Sequence, residues 1–149
     1  MRAVVQRAGA SKVKVEGITR GEISSGLLVY LGVGKEDTPA CCSYMAEKIV
    51  NLRIFPDAVG RMNRSLLEAG GEILVISQFT LYADARKGRR PSYNRAALSD
   101  RAEILYRQFL TDLASLGVSV ASGVFQAEMD VYSLILGPVT ILIDSDKEF

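Results

Sequence analysis

Two hydroxyl side chains and one amide directly follow a strongly apolar run in the middle of the chain. The run Ile-Leu-Val-Ile at 73–76 leads into Ser77, Gln78, Phe79 and Thr80. Backbone donors become free where a buried strand ends, so a ligand can meet main-chain and side-chain groups together there. Ser77 and Thr80 are candidate nucleophiles, but no neighbouring base is visible to activate either one, and a plain strand-end role also explains them.

A concentrated run of positive charge lies just beyond these polar residues. No acidic residue occurs between Ala85 and Ser99. The positive residues in this stretch are Arg86, Lys87, Arg89, Arg90 and Arg95. Such a run is either a solvated loop or a set of phosphate contacts, and its position next to the polar strand end favours phosphate contact.

The composition restricts the chemistry further. The chain has 149 residues, no histidine, and 18 Lys+Arg against 17 Asp+Glu, for a formal net charge of +1. The missing imidazole excludes Ser-His-Asp and Cys-His systems and a His-liganded zinc, and we predict neither a metal nor a cofactor. Because the total charge is near zero, a polyanionic partner would have to bind the local basic run.

Cysteine usage and hydropathy indicate the compartment. Cys41 and Cys42 are adjacent, which makes a mutual disulfide geometrically poor, and two cysteines are too few for a secreted framework. The first seven residues lack the apolar region of a signal peptide, and no apolar run approaches the roughly 18 residues that span a bilayer. We therefore expect a cytoplasmic protein without a membrane segment.

The elements that must position these groups begin with short strands. Apolar runs at 2–7, 12–15, 18–23 and 27–31 are separated by glycines, which predicts a β-meander. Thr38 and Pro39 then predict the N-cap and first residue of a helix. The apolar face of this helix is predicted to contain Cys41, Met45, Ile49 and Leu52.

A second helix and further strands complete the pattern. The helix is predicted to start near Ser99, with Asp100 and Glu103 at capping-box spacing, and to stop at Gly117. Its predicted core face contains Ala102, Leu105, Tyr106, Phe109, Leu113 and Leu116. Strands are predicted at 118–121, 129–136 and 139–143, the last two separated by a turn at 137–138, and residues 144–149 are expected to be loose.

These elements predict one α+β domain over residues 1–149. Its expected architecture is a largely antiparallel, β-barrel-like sheet with two packed helices, and the pattern is not a βαβ alternation. No internal repeat or linker interrupts the sequence.

Two motifs supply a family resemblance. Ser77-Gln78-Phe79-Thr80-Leu81 and Gly137-Pro138-Val139-Thr140 resemble the two signature motifs of the D-aminoacyl-tRNA deacylase family. Segments at 6–7, 52–55, 88–92, 100–103 and 125–129 also stand where that family has similar residues, so the likeness covers nearly the whole chain. One departure is Ile135-Leu136, because the family usually carries asparagine two residues before the glycine.

The resemblance implies an enzyme that hydrolyses the ester bond of D-aminoacyl-tRNA, and of glycyl-tRNA mischarged on non-cognate tRNA, in translation proofreading. It further implies a homodimer with active sites at the subunit interface. Each subunit would insert its Gly-cisPro dipeptide, Gly137-Pro138, into the partner's site, and Arg7 would help to fix that loop. Main-chain groups would then reject an L side chain by steric contact.

Roles for the remaining site residues also follow from the resemblance. Backbone N–H groups around Phe79 and Thr80 would face the developing oxyanion, within a catalytic segment that includes Ser77 and Gln78. The terminal ribose 2′-OH would assist the attacking water. The expected adenosine pocket consists of Phe125, Met129 and Ala102, although an ordinary core role also explains these residues. The expected tRNA phosphate contacts are Arg86, Lys87, Arg89 and Arg90.

Three alternatives stay open at this point. Thr80 could act as a covalent nucleophile instead of positioning the substrate. The chain could be a non-catalytic RNA-binding dimer, which Ile135-Leu136 makes conceivable. It could also be a threonine-dependent esterase for small molecules, which would need neither tRNA nor the basic run.

Overall fold

A mixed β-sheet that curls on itself forms the framework of the protein, as seen in a computed structural model describing all 149 residues. The sheet has six strands in the order β2-β1-β3-β6-β7, with β8 pairing to β1, and a two-stranded sheet is formed by β4 and β5. The strands are β1 (Arg2–Val15), β2 (Ile18–Ile23), β3 (Gly26–Gly32), β4 (Phe55–Pro56), β5 (Met62–Arg64), β6 (Glu72–Ser77), β7 (Val120–Ser122) and β8 (Asp130–Asp144).

Three helices and one tight turn accompany the sheet. The helices are α1 (Pro39–Val50), the short α2 (Leu66–Ala69) and α3 (Ser99–Ser115). A single 3₁₀ turn, Phe79–Tyr82, follows β6. None of the helices has the length and apolar character needed to cross a bilayer. The α+β class and the packing of two long helices, α1 and α3, are confirmed.

The sheet is buried on both faces at its centre, which explains its strongly apolar strands. In β3, Leu27, Val29 and Leu31 point into the main core beneath α1 and α3. Leu28 points the opposite way into a smaller cluster inside the curl, together with Leu74 and Ile76 of β6. Because alternate residues of a strand face opposite sides, a strand with two buried faces reads as a continuous apolar run.

The direction of the strands differs in part from the sequence-based expectation. Strand β1 pairs antiparallel with β2, β3 and β8, as a largely antiparallel sheet requires. However, β3 and β6 pair in parallel, and so do β6 and β7. Helix α1 lies in the first of these connections and α3 in the second, so the chain contains two parallel crossovers that the sequence pattern did not reveal. Continuous apolar runs indicate burial but not strand direction.

The start of α1 is as predicted and Met45 and Ile49 are buried as expected, but Cys42 takes the place of Cys41 on the buried face. Thr38 is the N-cap and Pro39 the first helical residue. Cys42 is fully buried and Cys41 only partly, although Cys41 was expected on the core face. The thiol of Cys42 donates to the carbonyl of Leu105 at 3.3 Å, and burial raises the pKa of this thiol to about 12. Cys42 is therefore a protonated packing residue that joins α1 to α3.

Helix α3 has the predicted core face but not the predicted cap. Its N-cap is Leu98, which makes no side-chain cap hydrogen bond, so the capping box of Asp100 and Glu103 is not formed. Glu103 instead pairs with Arg107 one turn later, at 2.6 Å. The side chains buried on α3 are Leu105, Tyr106, Phe109 and Leu113.

Two further differences concern the strands and the C-terminal segment. Residues 2–15 form one strand, and so do residues 130–144, in which Gly137-Pro138 is a bulge and not a turn between two strands. The C-terminal segment, expected to be loose, is held by several contacts. The main-chain N–H of Ser145 donates to Met1 O at 2.8 Å, and Glu148 pairs with Arg2 and Arg95.

Candidate active site

An apolar cavity of about 270 Å³ opens beside the end of β6. It is lined by Leu31, Val33, Ile76, Ser77, Gln78, Phe79, Ala102, Tyr106, Phe125, Gln126, Ala127, Met129 and Val131. The structure thus brings together Ser77, Gln78 and Phe79 with all three residues expected around the adenosine. The lining comes from distant parts of the chain, so only the fold assembles it.

Tyr106 also lines the cavity, although the sequence pattern predicted only a core position for it. Its hydroxyl donates to the carbonyl of Val75 at 2.9 Å, and its ring lies 5.6 Å from that of Phe125. Burial raises the pKa of the Tyr106 hydroxyl, so this group remains a neutral donor. The sequence could have indicated that Tyr106 lines the cavity, because it lies four residues after Ala102 and therefore on the same helix face.

The turn at residues 79–82 places main-chain donors at the edge of the cavity. Gln78 N donates to Leu31 O at 2.8 Å, which ends the parallel ladder between β3 and β6. The first N–H groups of a helical turn have no partner within it. Those groups belong here to Phe79 and Thr80, next to the cavity-lining side chains of Gln78 and Phe79.

The surroundings of Thr80 do not supply a base. Its hydroxyl oxygen accepts a hydrogen bond from the side-chain amide of Gln78. An amide N–H donates and cannot remove a proton, so this contact orients the hydroxyl without activating it.

The Gly137-Pro138 bulge is held by residues of β1. The peptide bond between the two residues is cis, and Gly137 has φ 117°. A Cβ at Gly137 would lie only 3.0 Å from Arg7 Nη2, which places the guanidinium directly against the glycine. Arg7 is itself fixed by donating Nη1 to Ile54 O at 2.8 Å. Gln6 Nε2 donates to Thr140 Oγ1 at 3.2 Å on the other side of the bulge.

The bulge is not part of the cavity in its own chain. Val131 lines the cavity, but Gly137 and Pro138 do not. Gly137 lies six residue steps beyond Val131 along the extended strand, which corresponds to roughly 20 Å. Ile135, at the position where asparagine is usual, packs against the smaller core cluster.

Residues 85–92 form an exposed, hairpin-like loop, which is called the basic loop below. Its ends are joined by paired main-chain hydrogen bonds of 2.8 and 2.9 Å between Asp84 and Ser92. Arg86 is bound to Asp84 at 2.6 Å, and this arginine holds the pKa of the carboxyl well below its usual range. The remaining cations, Lys87, Arg89 and Arg90, are exposed and make no ion pair.

Comparisons with known proteins agree with the resemblance seen in the motifs. Residues 4–144 match the family model for D-Tyr-tRNA(Tyr) deacylase. The chain is 56% identical over 149 residues to a D-aminoacyl-tRNA deacylase from Alkaliphilus metalliredigens, with all of both chains covered. It is 54% identical over 149 residues to one from Thermosipho africanus, again with all of both chains covered.

Solved structures share the fold. The c-Myc DNA unwinding element binding protein superimposes with a TM-score of 0.91 at 37% identity, over 97% of this chain and 98% of the other. A probable eukaryotic D-amino acid tRNA deacylase superimposes with a TM-score of 0.84 at 17% identity, over 95% and 97% of the two chains. With a family model spanning nearly all residues and full-length relatives above 50% identity, this chain belongs to the D-Tyr-tRNA(Tyr) deacylase family.

Proposed function

We propose that this chain hydrolyses the ester bond of D-aminoacyl-tRNA and releases free tRNA and the D-amino acid. One observation carries the proposal: the 3₁₀ turn whose first main-chain N–H groups belong to Phe79 and Thr80 begins at an apolar cavity, which Phe79 lines, in a chain of this family. We further propose that residues 1–149 act as one domain, that the enzyme works in cytoplasmic translation proofreading, and that it also accepts mischarged glycyl-tRNA.

The cavity suits the terminal adenosine of a tRNA. Its volume of about 270 Å³ lies near the lower end of the range for small-molecule sites, about 300 to 1,000 Å³, so a single nucleoside fits it better than a large cofactor does. Phe125, Met129 and Ala102 offer apolar surface for the base, and Gln126 adds a polar edge. The base would thereby bring the ester next to the turn at residues 79–82.

Catalysis would depend mainly on main-chain groups and on the RNA. The N–H groups of Phe79 and Thr80 would stabilise the oxyanion of the tetrahedral intermediate, and removing such stabilisation typically costs about 100- to 1,000-fold in rate. The 2′-OH of the terminal ribose would assist the attack of water on the ester carbonyl. Catalysis by main-chain N–H groups and the ribose 2′-OH requires no imidazole.

Replacing Thr80 with alanine is expected to leave much of the activity. The hydroxyl has an amide donor and no base, so we expect a decrease of less than about tenfold in kcat, as for loss of one positioning contact. Single-turnover hydrolysis of D-Tyr-tRNA measures this, and substrate ending in 2′-deoxyadenosine provides the complementary measurement. A large loss for Thr80→Ala on normally folded protein, with little effect of the 2′-deoxy substrate, would instead assign the threonine as nucleophile.

Selection against L-amino acids would come from Gly137-Pro138 of a second subunit. The dipeptide lies far along β8 from its own cavity, whereas an inserted partner loop would place its carbonyls next to the substrate ammonium. An exposed apolar face on β8 is suited to join two copies. It contains Tyr132, Leu134, Leu136 and Leu142, whose exposed fractions are 51%, 60%, 39% and 61%.

Replacing Leu134 with glutamate is expected to separate the two subunits and to abolish hydrolysis. A charge buried in an apolar interface is unfavourable unless it is paired, so sedimentation velocity should show single chains. Leu98→Glu is the matched control, because Leu98 is also exposed, at 81%, but lies at the start of α3. Sedimentation of wild-type protein as a single chain with full activity would contradict the shared site.

The basic loop would contact tRNA phosphates. Replacing Arg89 and Arg90 together with glutamine is expected to weaken tRNA binding and to reduce the slope of log K against log salt concentration by about 2, one for each lost contact. Arg20→Gln with Arg61→Gln is the matched control, since both arginines are exposed and make no ion pair. An unchanged slope in the loop variant would show that the loop is only solvated.

A direct assay tests the proposed function. Purified protein is incubated with D-Tyr-tRNA, L-Tyr-tRNA and a free D-tyrosine ester, and release of the amino acid is followed. We expect the protein to hydrolyse D-Tyr-tRNA but neither L-Tyr-tRNA nor the free ester. Equal hydrolysis of the free ester would favour a small-molecule esterase, and tRNA binding without hydrolysis would favour a non-catalytic RNA-binding protein.

A further inference from the structure

Two arginines hold one carboxylate near the C-terminal end of the chain. Arg95 donates through its two terminal guanidinium nitrogens to Glu148, from Nη2 to Oε1 at 2.5 Å and from Nη1 to Oε2 at 2.9 Å. Arg2 Nη2 donates to Glu148 Oε2 at 2.5 Å. These groups line a second cavity of about 270 Å³, together with Asp84 and Arg86, which form an ion pair with each other. The pair Arg2 and Arg95 is called the arginine pair below.

The arginine pair has the geometry of an oxyanion site. A guanidinium presents parallel N–H donors that fit two oxygens of a carboxylate or of a phosphate equally well. The hydrogen bonds from Arg95, and then those from Arg2, hold the pKa of Glu148 below its usual range, so the group they bind is an anion. A phosphodiester presents two such oxygens with one shared negative charge.

The arginine pair adjoins the site already described. Arg2 Nη1 donates to the carbonyl of Leu81 at 3.2 Å, and its guanidinium carbon lies 4.7 Å from the centre of the Tyr82 ring. Both residues belong to the turn at residues 79–82 that also contains Thr80. Because Ala85 and Arg86 line the same cavity, the pair lies between that turn and the basic loop.

The two arginines differ in their freedom to change partner. Arg2 is 15% exposed and is fixed by Asp144, at 3.2 Å, as well as by Leu81. The Arg95 side chain is 50% exposed, and Glu148 is its only hydrogen-bond partner. Glu148 is 41% exposed. An incoming anion can thus replace Glu148 with little rearrangement of the core.

We propose that the arginine pair is a binding site for one phosphodiester of the RNA, and that Glu148 occupies this site in the free chain and leaves it when RNA binds. This inference rests on the proposed function for the identity of the polyanion.

Replacing Glu148 with glutamine tests the displacement. The variant Glu148→Gln removes the competing charge, and we expect it to bind deacylated tRNA about two- to fivefold more tightly than wild type, which corresponds to loss of an exposed ion pair. Glu47→Gln is the matched control, because Glu47 is exposed on α1, makes no ion pair and changes the net charge equally. Affinity equal to that of the control, or weaker binding, would overturn the proposal.

Replacing Arg95 with glutamine tests the site itself. We expect Arg95→Gln to weaken tRNA binding and to reduce the salt slope by about 1, as for one lost phosphate contact. In the double variant Arg95→Gln with Glu148→Gln, the gain in tRNA affinity seen for Glu148→Gln alone should disappear, because Arg95 is no longer present to bind the phosphate. Thermal unfolding of each variant reports its folding, and an unchanged salt slope in a folded Arg95→Gln protein would contradict the phosphate site.

These measurements separate the inference from the proposed function. Binding of deacylated tRNA requires no hydrolysis, whereas the proposed function is judged by the release of D-tyrosine by wild-type protein. If wild-type protein hydrolyses D-Tyr-tRNA and neither Glu148→Gln nor Arg95→Gln changes tRNA binding, only the phosphate site is overturned. Variant effects without any D-selective hydrolysis would overturn only the catalytic proposal.

Discussion

Replacing Gly137 with alanine is expected to lower the hydrolysis of D-Tyr-tRNA by about a hundredfold. At φ 117° a side chain strains the backbone, and the new Cβ would lie 2.8 Å from Val139 Cγ2 and 3.0 Å from Arg7 Nη2. The bulge must then shift, and a displacement of about 1 Å in a positioning group can cost 100-fold in rate. Single-turnover kinetics with D-Tyr-tRNA and L-Tyr-tRNA measure both the loss and any change in selectivity.

Gly60→Ala is the control for backbone strain alone. Gly60 also has a positive φ, 82°, but a Cβ there would meet nothing within 4 Å. Gly60→Ala should lose about 1 to 3 kcal/mol of free energy of unfolding and keep its activity, whereas Gly137→Ala, which adds steric contacts to the strain, should lose at least as much and also lose activity. If Gly137→Ala kept full activity and selectivity, the bulge would have no part in reading the substrate.

Replacing Ala102 with phenylalanine is expected to lower kcat/KM for D-Tyr-tRNA by up to about a hundredfold. Ala102 lines the cavity, so the larger ring would fill the space proposed for the adenine base. Stacking of one base is worth about 1 to 3 kcal/mol, and 1.4 kcal/mol corresponds to tenfold in binding. The effect is measured as kcat/KM with D-Tyr-tRNA at several substrate concentrations.

Ile104→Phe controls for the added bulk on the same helix. Ile104 is 68% exposed, so a phenylalanine there faces solvent and leaves the cavity open. Stability should fall by about 1 to 3 kcal/mol in Ala102→Phe if the ring overpacks the site, and thermal unfolding detects this. Equal activity of Ala102→Phe and wild type would show that the adenosine binds elsewhere.

The sequence predicted local features whose causes are local. Thr38 and Pro39 begin α1 as expected, because an extended residue followed by proline is compatible with a helix start whatever surrounds it. The core face of α3 was also predicted, since its apolar residues recur with the helical period. The predicted capping box of α3 is wrong, because Glu103 pairs with Arg107 and does not bind the main chain at the start of the helix.

Strand direction and loop order depend on distant partners and were therefore less predictable. The run at 73–76 indicated a buried strand, but its parallel pairing with β3 depends on the path of α1 between them. The C-terminal segment was expected to be loose because it is polar. Arg2 and Arg95, far away in the sequence, supply the ion pairs that hold it.

By itself, the sequence determined the chemistry available to this protein. The absence of histidine excluded imidazole catalysis, and the two motifs led to the family that the comparisons then established. Only the tertiary structure decided that Phe125, Met129 and Ala102 share one cavity with Gln78, and that Gly137 lies away from it. The physical reason is that residue types and short spacings are written in the chain, whereas the juxtaposition of β6, α3 and β8 follows from burial of their apolar faces in a common core.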